Sequence, residues 1–207
     1  SDGHKPKFWI LFNKVTGIGN ERTFIPCPVP RVSSGDSLNH IVYGGSTDLY
    51  ACLLANCSAL ICDYIARIKI GGVNINFFHV RQLPILPPEA YAAADLSFII
   101  PRVLELTYTS NAMEAFARDL GYHGEPFTWD EDRRAQLRAE LDAWYALAYG
   151  LDRDELRYVL DPKDVMGADY PSETFRVLQK NECAKYGEYR TQRLVLAAYD
   201  ELTRQGM

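Results

Sequence analysis

Long apolar runs are missing from this sequence. The most apolar stretch, Leu49 to Cys62, runs 14 residues without a charge, short of the roughly 20 that a bilayer requires. A signal-peptide pattern is missing too, because Ser1-Asp2-Gly3-His4-Lys5 leads straight into Phe8-Trp9-Ile10-Leu11-Phe12. A chain that starts with Ser and meets a strand within eight residues reads as a piece of a longer one. Cysteine is scarce, with five residues, and the odd count argues for a reducing, cytoplasmic setting over a disulfide framework. Cys52, Cys57 and Cys62 recur every five residues, which sets successive sulfurs about 140° apart on a helix. They do not converge on one metal and read as small buried hydrophobes. The four histidines, His4, His40, His79 and His123, share no helical spacing and have no cysteine at ligand distance, so no metal site is expected. Neither charge sign dominates: 22 Lys+Arg stand against 27 Asp+Glu, with 47% hydrophobic residues, which excludes a disordered or fibrous chain.

Catalytic strings are also wanting. There is no Gly-x-Ser-x-Gly for a hydrolase. No Pro-Asp dipeptide opens a nuclease-like set of carboxylates and lysine around a metal. Val15-Thr16-Gly17-Ile18-Gly19 imitates a cofactor loop, but a proline-laced extended run follows it, where such a loop has to open a helix. Leu86-Pro87-Pro88-Glu89 echoes the Asn/Asp-Pro-Pro-aromatic tetrad of amino-methyltransferases without its polar first and aromatic last residue. It reads as a stop between domains.

What is present divides near residue 88. Phe8 to Val15 has strand composition, and Pro26, Pro28 and Pro30 mark an edge strand or an extended crossing segment, because each proline removes a ladder donor. Leu38 to Tyr43 is a third strand candidate. Tyr50, Leu53, Leu54, Cys57, Leu60, Ile61, Tyr64, Ile65 and Ile68 follow helical spacing. They predict one buried helix from Ser46 to Ile70, ended by a left-handed cap at Gly71-Gly72. Val73 to Phe78 alternates apolar and polar. Beyond residue 88 the pattern is helical: Pro101 to Tyr108, Ala112 to Leu120, a helix to Tyr149 opened by a capping box at Thr128-Trp129-Asp130-Glu131, another box at Asp152 to Glu155, Ser172 to Leu178, and Tyr189 to Arg204. The sequence thus predicts an α+β chain: a small mixed β-sheet with a buried helix over residues 1–88, then a helical bracing or docking segment over 89–207. Residues 1–100 carry 8 basic and 7 acidic groups, and residues 101–207 carry 14 and 20. An acidic back half argues against nucleic-acid contact there.

One polar constellation remains, at Arg67, Lys69, Gly71, Gly72, Asn74, Asn76, His79 and Arg81. The plainer account is a helix end with its glycine cap, then a strand whose Asn side chains satisfy neighbouring backbone. The functional account has Arg and Lys on phosphates, glycine amides approaching a backbone closely, and Asn offering the donor–acceptor pair that reads adenine.

Several ordered strings carry a family likeness. They are Leu53-Leu54-Ala55-Asn56, Asp63-Tyr64-Ile65-Ala66-Arg67, Lys69, Gly71-Gly72, Asn76-Phe77-Phe78 and Gln82-Leu83-Pro84-Ile85-Leu86-Pro87-Pro88. Glu21-Arg22-Thr23-Phe24-Ile25, Pro30-Arg31, Tyr149-Gly150-Leu151 with Asp154-Glu155, Tyr186 to Thr191 and Arg193-Leu194 extend it over about residues 8 to 202. The chain resembles the C-terminal target-recognition region of large adenine-specific (N6) DNA methyltransferases of restriction–modification and phage-defence systems. That resemblance implies sequence-specific recognition of double-stranded DNA, with Arg22 and Arg31 joining Arg67, Lys69, Gly71, Gly72, Asn74, Asn76 and Arg81 as DNA-binding residues. It also implies a partner domain upstream in the same chain that holds S-adenosylmethionine and the catalytic tetrad, with or without a nuclease. The fragment itself then carries no catalytic residue and no cofactor. Val73-Asn74 stands where relatives often have Thr-His, and His79 replaces a more usual apolar residue, so base specificity does not carry over. The rival expectation is a protein–protein docking module of a modification or defence complex.

Overall fold

A computed structural model describes residues 7–17, 19–70 and 72–206. Three strands, β1 (Phe8–Asn13), β2 (Pro26–Pro30) and β3 (Leu38–Ile41), form a sheet in the order β2-β1-β3. Both pairings are antiparallel, so the sheet is not mixed. Trp9 pairs with Val29 and Leu11 with Cys27, and Arg31 N–H donates to the Lys7 carbonyl at 3.1 Å. Odd-numbered residues of β2 therefore bond β1, while Pro26, Pro28 and Pro30 turn toward the open edge, where no N–H is needed. The proline periodicity is an edge strand, as expected.

Helices follow: α1 (Thr47–Ser58), α2 (Leu60–Lys69), a short α3 (Phe77–Val80), α4 (Ala93–Thr107), α5 (Glu114–Asp119), α6 (Glu131–Ala148), α7 (Arg153–Leu160), α8 (Pro162–Met166), α9 (Arg176–Tyr186) and α10 (Arg190–Arg204). The α+β class holds, and several boundaries differ from expectation for identifiable reasons. The single helix over 46–70 is two, bent by 55° between Ser58 and Leu60. No single helix among the described residues is long and apolar enough to cross a membrane. Helix α2 ends at Ile70, whose backbone is extended and whose side chain is buried; Gly71 of the expected Gly71-Gly72 cap lies outside the described residues. Residues 73–78 do not form a strand. Asn74 makes one bridge to Val15, and Asn76 then caps α3. Helix α4 starts at Ala93, with Pro101 in its interior, because Asp95 accepts from the Ala92 N–H at 2.7 Å and opens it earlier. The cap of α6 is Asp130, which accepts from Arg133 N–H at 2.8 Å, and not Thr128. The Asp152–Glu155 box is present in both directions. Helix α9 begins at Arg176 behind Phe175, a fully buried residue in the left-handed region at φ 48°.

The change of pattern at residue 88 is a change of secondary structure within a continuous core. Phe8 and Ile10 of β1, Tyr50 and Leu54 of α1, Ile99 of α4, Tyr145 of α6 and Val195 of α10 belong to one buried cluster. A second, smaller cluster gathers Phe12, Phe24, Cys57, Cys62, Ala66, Ile70, Ile75 and Leu83 between the sheet and α2. Burial pushes the Cys52 and Cys57 thiols up to about 12, so both are packing groups at neutral pH.

Candidate nucleic-acid interface

Asp63 organises the first half of the site from inside. It is fully buried on α2 and accepts backbone N–H groups from Thr23, at 2.8 Å, and from Phe24, at 2.5 Å. Arg67, one turn later, ion-pairs with it at 3.1 Å. The Arg67 guanidinium also donates to the carbonyls of Asn20 and Glu21 at 2.8 and 2.7 Å and lies 4.7 Å from the Phe175 ring centre. A buried charge requires this degree of satisfaction. Arg67 is thus a structural clamp on the 20–24 loop, and not a surface phosphate contact. Arg22 turns inward as well. It donates to the Ser58 carbonyl and stands 3.5 Å from Asp63.

The break between α1 and α2 takes its partners from far away. Arg22 satisfies the Ser58 carbonyl at the end of α1, and Asp142 on α6 accepts the Leu60 N–H at the start of α2, at 2.7 Å. A second buried node holds the approach to residue 88. Asn56 donates to Tyr149 Oη at 2.8 Å and accepts from Leu86 N–H at 2.9 Å, while Tyr149 donates to the Pro84 carbonyl at 2.8 Å. Residues far apart in the sequence thus meet in two polar nodes, Asp63–Arg67 and Asn56–Tyr149. Asp63, Asn56, Tyr149 and Asp142 were not among the expected site residues. The signal for Asp63 and Asn56 was a polar residue on an otherwise apolar helix.

Between these nodes the chain comes to the surface. Ile75 is buried and its N–H donates to the Lys14 carbonyl at 2.8 Å, while Thr16 N–H donates to the Val73 carbonyl at 2.9 Å. Both ends of the segment are fixed, and its middle is open. Asn76 Oδ1 accepts from His79 N–H and His79 Nδ1 accepts from Asn76 N–H, each at 3.3 Å, so both side chains serve as the cap of α3. Lys69, Gly72, Asn74 and Arg81 are exposed. Phe77 and Phe78 stand 51% and 71% exposed on α3, beside Ile68 and Val73 at 64% and 67%. Lys14, ion-paired at 3.0 Å with Asp36, borders the same rim. From Tyr64 to Pro88 the sequence has no acidic residue.

Of the expected residues, Lys69, Gly72, Asn74, Asn76 and Arg81 therefore share one rim, and Gly71 lies outside the described residues. Arg31 does not join them. It sits beside Lys7 at the other end of β1, over the Trp9 ring at 5.8 Å, about 25 Å along the strand from the Val15–Asn74 bridge at roughly 3.3 Å per residue. Among the described residues no group of His, Cys, Asp and Glu is arranged to hold a metal ion. Comparison with protein-family models, curated proteins and solved structures returns no match for this chain.

Proposed function

We propose that this chain recognises duplex DNA through the 68–81 rim, as the non-catalytic target-recognition part of an adenine-N6 methyltransferase or restriction–modification enzyme. The observation that carries the proposal is the acid-free run from Tyr64 to Pro88, whose exposed Lys69 and Arg81 flank Gly72 and Asn74 next to the Lys14–Asp36 ion pair. In this reading Lys69 and Arg81 contact phosphates, which position the protein without reading sequence. Asn74 offers an amide to a base edge, and Gly72 lets the backbone come close. Phe77 and Phe78 meet thymine methyls or unstacked base faces. Arg22 and Arg67 act behind the rim by holding its supporting loop. Methyl transfer, with S-adenosylmethionine, belongs to a domain outside these residues.

The test is fluorescence anisotropy of a labelled, sequence-randomised duplex at low and physiological salt. Lys69→Glu with Arg81→Glu lowers affinity and flattens the salt dependence, each lost phosphate contact removing about 0.9 from the log–log slope. Unchanged affinity in the double variant overturns the proposal. The exposed Phe77, Phe78, Ile68 and Val73 favour one other reading, a protein-docking face. Its binding responds little to salt and is lost on Phe78→Ser alone.

A further inference from the structure

We infer that the groove between β2, α1, α4 and α6 binds a small organic anion with a compact apolar body. The inference does not need the DNA reading and shares only Arg22 with it. The groove encloses about 390 Å³, within the ordinary range for small-molecule sites. Its floor is apolar, made by Leu54, Ala55, Val103 and Leu141. Arg22, Arg134 and Arg138 line it with one carboxylate, Asp142; Asp63 answers Arg22 from behind at 3.5 Å, which leaves Arg134 and Arg138 against Asp142 and a net positive lining.

The three arginines are not equivalent. Arg22 is engaged at the Ser58 carbonyl. Arg134 is held in place by the Leu106 carbonyl at 2.9 Å and by the Trp129 ring, 3.7 Å from its guanidinium carbon. Arg138 is exposed and makes no hydrogen bond or ion pair among the described residues. Asp142 does not neutralise it by direct contact, since its carboxylate is directed to the Leu60 N–H. A planar guanidinium with free donors beside an apolar floor suits a carboxylate or phosphate carried on a ring. Trp129, two-thirds exposed, forms an apolar lip.

The remaining wall argues against a peptide. Pro26 and Pro28 line the groove along the open edge of β2. That edge presents carbonyls and no N–H, so an added strand would leave its own carbonyls without donors. A compact anion makes no such demand.

The probe is 1-naphthoate, with the uncharged 1-naphthamide as its isostere, titrated into the whole chain by calorimetry and followed by amide and indole NMR shifts. The expected result is saturable binding on the order of 1 mM or tighter, with shifts at Trp129, Ser58, Thr107 and Arg138. Arg138→Gln weakens it about tenfold. Arg133→Gln, on the same helix but ion-paired with Glu105, leaves it unchanged. Equal affinity for 1-naphthamide, absence of saturation, or shifts confined to residues outside the groove overturns the inference.

Discussion

Replacing Asp142 by Asn should stabilise the protein at pH 8 and leave it nearly unchanged at pH 4. Asp142 is buried on α6 and accepts the Leu60 N–H at 2.7 Å, which caps α2 from 82 residues away. Burial pushes its carboxyl up from 3.8 to about 6, against the pull of Arg22, of that backbone bond and of Arg138. The folded protein therefore holds this proton over a pH range in which the unfolded chain has released it. Its contribution to stability is complete below about pH 4 and is lost as pH rises through about 6. A gap of about two pH units corresponds to roughly 3 kcal/mol at about 1.4 kcal/mol per unit. Asn keeps the acceptor oxygen and carries no charge to desolvate. The difference between variant and wild type should thus grow from near zero at pH 4 to roughly 3 kcal/mol at pH 8. Urea denaturation of both proteins at pH 4.5, 6 and 8, with matching m-values, measures it. A difference that does not change with pH, or a variant less stable at pH 8, would refute the argument.

Asp63→Ala should lower stability by about 3–5 kcal/mol, because it leaves the buried Arg67 charge and two backbone donors unmatched, and thermal unfolding will report it. Tyr149→Phe should cost about 1–2 kcal/mol and raise amide hydrogen exchange near Leu86, the far end of the segment that bears the rim. Phe78→Ser should change stability by less than about 0.5 kcal/mol, as expected for an exposed site, and so reports on binding alone. Pro28→Thr should add an N–H to the open edge of β2, and light scattering should then detect concentration-dependent self-association.

Sequence and structure agree where the determinants are local. The edge position of β2 follows from prolines at every second residue, and the start of α7 follows from Asp152 and Glu155. They part where a distant residue intervenes. Nothing between Tyr50 and Ile68 announces a break, because the groups that stabilise it are Arg22 and Asp142. Asn76 looked like one member of an alternating strand, yet its side chain fits the cap of a helical turn equally well. In the candidate site, the exposed Lys69 and Arg81 were legible as cations in an acid-free segment. Arg67 has the same chemistry, and its i,i+4 spacing from Asp63 on one helix was the available signal for a pair; Arg22 reaches the same carboxylate from far along the chain, where no spacing rule applies.

The bend between α1 and α2 has a consequence for how the chain can be divided. Its two polar ends are closed by an arginine that precedes β2 and an aspartate from the middle of α6. The bent form thus depends on groups from two distant parts of the sequence. Cutting the chain at residue 88 therefore separates the bend from Asp142, and the front piece loses the geometry that orients α2. Both halves of the sequence contribute side chains to one buried cluster, so a cut at residue 88 also opens that shared core.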